Sequence, residues 1–153
     1  MNRVAKDFHL EATGGKSVRL KDLRGQNVVL YFYPKDSTPG CTQEGLDFKA
    51  LNAKFKKQNT VIFGISRDSI ASHEKFKAKQ KFPFDLLSDP DEKVCSQFDV
   101  IREKSLYGRK FMGVVRSTFL IGPDGKLRAE WRKVKVKGHA DEVLERVIML
   151  NGS

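Results

Sequence analysis

VVLYFYPKDSTPGCTQE, residues 28 to 44, decides how the rest of the chain is read. Its opening run is apolar and aromatic without a break and stops at Pro34, as in a strand buried on both faces. Beyond the loop, Phe48, Leu51 and Phe55 recur at three- and four-residue spacing, while Lys49, Lys54, Lys56 and Lys57 lie largely off that line. The spacing predicts an amphipathic helix over 41–57. TVIFGIS, residues 60 to 66, is a second continuous apolar run. Strand, long helix, strand is a βαβ unit, in which the two strands lie parallel.

The flanking segments extend this unit in both directions. FHLEA, a Thr-Gly-Gly turn and SVRL predict a short hairpin within the first 20 residues, followed by the turn-rich KDLRGQN. A basic helix is expected over about 69–81, with Ser69 as its N-cap, and FDLLSD at 84–89 reads as a third strand. DPDEKVCSQFDV should carry a short helix with an acid-rich first turn, which suits the helix dipole. RSTFLIG, PDG and KLRAEWRKVK form an antiparallel hairpin around a Pro-Asp-Gly turn, with Lys133, Lys135 and Lys137 as the wet face of its second strand. A final helix over about 140–150 should pack Val143, Leu144, Val147 and Ile148. The sum is an α/β chain with a mixed central sheet, helices on both faces and an N-terminal hairpin, the outline that a thioredoxin-like fold requires. At 153 residues it is expected to form one domain, 1–153.

Composition narrows the function classes. Lys and Arg outnumber Asp and Glu by 29 to 19, a net charge of +10 that raises the question of nucleic acid or acidic partners. The cations are dispersed, however. Lys75 with Lys79, and Lys77 with Lys81, are helical i,i+4 pairs that suit a solvated face, and no nucleic-acid motif is present. No apolar run approaches the roughly 20 residues that span a bilayer. The first residues lack the apolar core of a secretory signal, so a cytoplasmic location is expected. Cys41 and Cys95 are too few for a disulfide scaffold, and His9, His73 and His139 show no ligand spacing, so neither metal nor cofactor is expected. No exposed apolar stripe dictates assembly, which leaves a monomer or a weak dimer.

Cys41 has the most informative setting. Pro39 and Gly40 place it in the first turn of the helix that follows a buried strand. Free backbone N–H groups and the positive helix end point there, and they stabilise a thiolate. The rival reading is a packed small hydrophobe. Thr38 lies three residues earlier, the spacing of a C-x-x-C motif whose first cysteine is replaced. That replacement disfavours dithiol exchange and leaves a hydroxyl that can donate to a thiolate, accept from an incoming O–H, or cap the helix.

Pro34, Thr38 and Cys41 together satisfy P-x-x-x-T-x-x-C, the active-site pattern of peroxiredoxins. The fuller string YFYPKDSTPGCTQE resembles the peroxiredoxin Q branch, the bacterioferritin comigratory proteins. LLSDPDEKVCSQFDV and EKSLYGRKFMGVVRSTFLIGPDGK extend the resemblance over nearly the whole chain. It implies a peroxidase that reduces hydrogen peroxide and organic hydroperoxides, with Cys41 as nucleophile. It also implies an arginine from the hairpin strand, and Arg116 in VVRSTFLI holds that place. An always-charged guanidinium offers rigid paired donors to the peroxide oxygens and to the thiolate. Pro34 would shape the pocket wall and keep an extra N–H out of it. Glu44, one helical turn beyond Cys41, would orient Arg116 or a nearby backbone group.

The chain departs from that branch at one position. Many members carry a resolving cysteine five residues after the first, where this sequence has Leu46. Oxidised Cys41 must then be reduced by an external thiol (thioredoxin, glutaredoxin or glutathione) or by Cys95, which stands 54 positions further on. Val94 and Phe98 beside Cys95 suit a packed residue, so the one-cysteine mechanism is favoured. A peroxide-sensing relay protein and a nucleic-acid-binding module on the same scaffold are the other classes.

Overall fold

The computed structural model describes residues 2–152. In chain order its elements are β1 (His9–Ala12), β2 (Lys16–Arg19), a 3-10 turn (Leu20–Leu23), β3 (Asn27–Phe32), α1 (Pro39–Lys57), β4 (Thr60–Ser66) and α2 (Ile70–Gln80). They continue with β5 (Asp85–Ser88), α3 (Lys93–Gln97), β6 (Ile101–Leu106), β7 (Arg109–Val114), β8 (Ser117–Ile121), β9 (Leu127–Arg132) and α4 (His139–Asn151). Seven strands form one sheet in the order β2-β1-β5-β4-β3-β8-β9. β3, β4 and β5 run parallel, and β1, β2, β8 and β9 add antiparallel margins. The mixed sheet, the βαβ unit and the N-terminal hairpin expected from the sequence are present.

β3 sits near the middle because both of its faces are apolar. Val28, Leu30 and Phe32 point into one core, and Val29, Tyr31 and the following Tyr33 point into the other. The long helices share the second side, where Phe48 and Phe55 of α1, Phe76 of α2, and Val143, Leu144 and Val147 of α4 pack together. Val94 and Cys95 of α3 join the first side. Tyr31 pairs with Gly64 across the β3–β4 ladder. That glycine is required by the ring: a Cβ there would stand 2.8 Å from the phenol carbon and oxygen of Tyr31.

Four expectations are corrected. The acids expected in the first turn of α3 precede it instead, and Asp89 caps the helix by accepting from the N–H groups of Val94 at 3.2 Å and Cys95 at 2.7 Å. β9 ends at Arg132, so Lys133, Lys135 and Lys137 lie in an irregular segment whose alternation reflects half-buried Val134 and Val136 rather than a strand. Ile148 is exposed on α4, because the core-facing line of the helix runs through Val143, Val147 and Leu150 and leaves Ile148 one position off it. Residues 101–114, to which the pattern assigns no element, form a separate two-stranded sheet. Its turn residues Tyr107 and Gly108 both have positive φ, as two-residue hairpin turns demand. Ser69 caps α2 as expected, accepting from the Ser72 N–H at 3.2 Å.

Candidate active site

The geometry starts from the loop between β3 and α1. Thr38 is the N-cap residue of α1 in extended conformation, and its carbonyl accepts from the Thr42 N–H at 2.9 Å. Its hydroxyl does not cap the helix. It donates to the Lys35 carbonyl at 2.8 Å, which closes the loop and commits the hydroxyl hydrogen. The lone pairs of that oxygen stay available to accept from another O–H. Pro39 takes the first helical position, where its missing N–H costs nothing. Cys41 follows two residues later with only 2% of its surface exposed.

Arg116 is delivered from the opposite side of the sheet margin, by the short link between β7 and β8 rather than by a strand proper. Its backbone is pinned where its carbonyl accepts from the Val134 N–H at 3.0 Å. The guanidinium divides its donors: Nη2 reaches the Cys41 sulfur at 3.4 Å and Nη1 the Glu44 Oε1 at 2.7 Å. Gly40 makes room for this, since a Cβ there would meet Nη2 at 3.1 Å. Burial opposes the Arg116 charge, but Glu44 and Cys41 beside it hold the group even more firmly protonated than usual.

Glu44 is buried, and its burial pushes the carboxyl up to about 7 against the opposing pull of Arg116. Among the described residues its second oxygen, Oε2, has no hydrogen-bond partner, and neither has the buried hydroxyl of Tyr31. Burial first, then the charges of Glu44 and Cys41, hold the Tyr31 phenol well above its ordinary range. Tyr31 therefore presents a protonated hydroxyl to the same small region. In the sequence it is hidden as one more apolar residue of β3. The available signal was alternation, which puts Val29, Tyr31 and Tyr33 on the face that α1 covers.

A second buried cluster anchors the loop. Asp36 accepts from Tyr33 Oη at 2.6 Å and from Ser72 Oγ at 2.8 Å, and pairs with His73 Nδ1 at 2.7 Å. The other nitrogen of His73 meets the Leu87 carbonyl at 2.8 Å. Burial works against the Asp36 charge, but the hydrogen bonds from His73, Tyr33 and Ser72 outweigh it and keep the carboxyl below its usual range. His73 is thus a structural partner of the loop. His139 bonds Thr118 at 2.8 Å, and burial, with Arg116 adding to it, lowers it to about 4. His9 meets Ser17 at the surface. Among the described residues no group of three or more His, Cys, Asp or Glu side chains is placed to hold a metal ion.

Of the residues singled out from the sequence, Cys41, Arg116 and Glu44 are in direct contact, and Thr38 stands at the helix start beside them. Pro34 lines a shallow groove with Lys35, Arg67, Asp68, Pro90 and Glu92. Cys95 is elsewhere. It belongs to the core on the far face of the sheet, while Cys41 belongs to the core under α1, so β3 and its neighbours stand between the two sulfurs. Burial, followed by Asp89, pushes the Cys95 thiol up strongly, away from the thiolate that exchange would need. Leu46 packs against the Cys41 side of the core. One cation was not foreseen: Lys104 of β6, whose ammonium donates to the Val114 carbonyl at 2.5 Å. Burial lowers its pKa, and so do Arg116 and Arg67, while Cys41 draws it up.

The chain is similar to known proteins along most of its length. The AhpC/TSA family model matches residues 1–130. The chain is 55% identical to Peroxiredoxin Bcp of Xanthomonas campestris over 138 residues, covering 90% of this chain and 86% of that protein. It is 48% identical to Peroxiredoxin Bcp of Bacillus subtilis over 145 residues, covering 95% and 92%. A structure of the Xanthomonas campestris bacterioferritin comigratory protein, from work on its alkyl peroxide reduction activity, matches with a TM-score of 0.91 at 51% identity, covering 94% of this chain and 92% of that one. Among the described residues no helix is long and apolar enough to cross a membrane.

Proposed function

From the premise that this chain belongs to the AhpC/TSA family, as a peroxiredoxin of the peroxiredoxin Q or Bcp branch, we propose that it is a peroxidase reducing hydrogen peroxide and organic hydroperoxides through Cys41, with an external thiol as reductant. One observation carries the reading: a single guanidinium touches both the Cys41 sulfur at 3.4 Å and the buried Glu44 carboxylate at 2.7 Å, at the N-terminus of a helix. In the first step the Cys41 thiolate attacks one oxygen of the O–O bond. That bond breaks, the far oxygen leaves as hydroxide or alkoxide and takes a proton from solvent, and Cys41 becomes a sulfenic acid. Arg116 supplies donors to the sulfur and to the oxygens as charge shifts between them. Thr38 accepts from the peroxide O–H, Pro34 supports the loop, and Glu44 holds the guanidinium in its plane.

In the second step a thiol condenses with the sulfenic acid and water leaves, forming a mixed disulfide. A further thiol then releases Cys41 and carries away the disulfide. Thioredoxin, glutaredoxin or glutathione would fill this role, in the reducing, cytoplasmic setting that two free cysteines suit. The position of Cys95 across the sheet supports an external thiol over Cys95. A Cys41–Cys95 bond needs Cα atoms within about 7 Å, which would require unpacking one face of the sheet. A sensing role stays the alternative, distinguished by whether oxidation turns over.

The test is the intact mass of the reduced protein after one equivalent of hydrogen peroxide, with Cys41→Ser and Cys95→Ser as controls. The expected result is a gain of about 16, or about 32 with excess peroxide, in the parent and Cys95→Ser and no change in Cys41→Ser. A loss of about 2, absent from Cys95→Ser, would instead make Cys95 the resolving residue. No change in any of the three would refute peroxidase chemistry.

A further inference from the structure

The β6–β7 hairpin leaves the core directly beside the site: β7 ends at Val114, and Arg116 follows two residues later. Its two strands pair only with each other, so it stands as a two-stranded arm. The register sorts its side chains. Arg102 faces Gly113, Lys104 faces Phe111 and Leu106 faces Arg109, and residues paired in this way share one face of the sheet. That face therefore carries Arg102, Lys104, Leu106, Arg109 and Phe111 and no acid. The arm's carboxylate, Glu103, is on the reverse, near Lys110 at 3.6 Å. The Lys104 ammonium reaches the Val114 carbonyl at 2.5 Å, two residues before Arg116, so the cationic face is the one turned toward the active site.

This face is also apolar where it meets solvent. Leu106 and Phe111 are exposed at 57% and 46%, and Tyr107 at the tip is 96% exposed. Exposed apolar side chains rimmed by charge mark interaction surfaces more often than chance. Among the described residues neither Lys104 nor Arg109 is paired with a carboxylate, and Arg102 is held by Asp99 at the root of the arm.

We propose that this face is the docking surface for a dithiol protein whose exposed cysteine sits in an apolar patch rimmed by carboxylates. The inference rests on the peroxidase reading and names its reductant class. Three observations select that occupant. Cys41 is 2% exposed, so a sulfur presented from a held complex reaches it faster than one arriving by free collision. The apolar span from Leu106 to Phe111 offers contacts that a small thiol such as glutathione would not need. The face is uniformly cationic on a chain of net charge +10, so a second copy is repelled and an acidic partner is attracted. The brief encounters of redox carriers bury less than about 1,200 Å², so they need no larger apolar centre than a few exposed side chains. The dithiol supplies both electrons: one sulfur forms the mixed disulfide with Cys41 as water leaves, and the second displaces Cys41 and leaves the carrier oxidised.

The experiment prepares the Cys41 sulfenic acid with one equivalent of hydrogen peroxide, in the parent and in the double variant Leu106→Asp, Phe111→Asp. Its decay is followed by intact mass with three probes: an acidic reduced thioredoxin, dithiothreitol and glutathione. The expected result is a thioredoxin rate constant at least about tenfold lower in the variant and falling with added salt in the parent. Oxidation by peroxide and reduction by dithiothreitol should agree within about twofold between the two proteins. Equal thioredoxin rates in both proteins would overturn the proposal. So would glutathione outpacing thioredoxin in the parent, or a parent dimer that the variant abolishes. A parent Cys41 that peroxide leaves unoxidised would overturn the peroxidase reading itself, and that arm is scored before any reductant is added.

Discussion

Replacing Glu44 by Gln tests the buried pair on which the site is built, through stability rather than activity. In the folded chain burial lifts the Glu44 carboxyl from 4.5 to about 7, so the native state holds that proton more tightly than the unfolded chain does. A raised carboxyl of this kind costs stability as pH rises: the unfolded chain ionises first, and the penalty grows from about pH 4.5 until it levels off above about pH 7. Linkage puts the loss at about 2–3 kcal/mol between pH 5 and pH 8.5. In Glu44→Gln the amide cannot ionise, still accepts from Arg116, and should show none of this loss. Urea unfolding of both proteins across that range gives the difference directly. With a slope near 2 kcal/mol per molar, the parent midpoint should fall by about 1 M relative to the variant. A gap between the two proteins that is constant with pH, or that changes in the parent's favour, would refute the assignment of a raised Glu44.

Other consequences are equally direct. Arg116→Ala should slow peroxide reduction by about 10² or more and destabilise the fold by leaving Glu44 buried without its partner. Adding Glu44→Gln to that variant should restore stability and leave the rate low, and recovery of both would remove Arg116 from the chemistry. Gly64→Ala, which sets a methyl 2.8 Å from Tyr31 and 2.9 Å from Leu86, should cost about 1–3 kcal/mol in denaturant unfolding, and a neutral result would mean the Tyr31 ring is free to move. His73→Ala should remove about 3 kcal/mol or more by stranding buried Asp36, and an unchanged midpoint would show that Tyr33 and Ser72 suffice for it. Native labelling with a small thiol reagent should modify Cys41, beside Arg116 at a helix start, before Cys95 in the far core, which should react only on unfolding; equal rates would contradict that core placement of Cys95.

What could be read from residues alone follows from what each segment is packed against. β3 and β4 are buried on both faces, so their composition is continuous and announces them. Cys41, Thr38 and Glu44 lie within one loop and two helical turns, where spacing along the chain is also spacing in space. Arg116 arrives across 72 positions to bond Glu44, and only the family resemblance pointed to it. The Asp36–His73 pair joins positions 37 apart through two different elements, and nothing local marks either residue as a partner of the other. The β6–β7 arm left no hydrophobic pattern because it packs against little, and a period-two signal exists only where one face is buried. Its Tyr-Gly turn was the one cue available.

The seven-stranded sheet does more than position Arg116 against Cys41. It also stands between the two sulfurs, and under the proposed external-thiol mechanism that would turn the fate of an oxidised Cys41 into a question of supply. An intramolecular partner would clear the sulfenic acid at a fixed rate in every cell and at every dilution. Under the external-thiol mechanism proposed above, its lifetime would scale inversely with the concentration of reductant, and any shortfall would lengthen the window in which a second peroxide can carry the sulfur to the irreversible sulfinic state. The protein would then record the balance between oxidant and carrier, accumulating inactive molecules in proportion to how far one outruns the other.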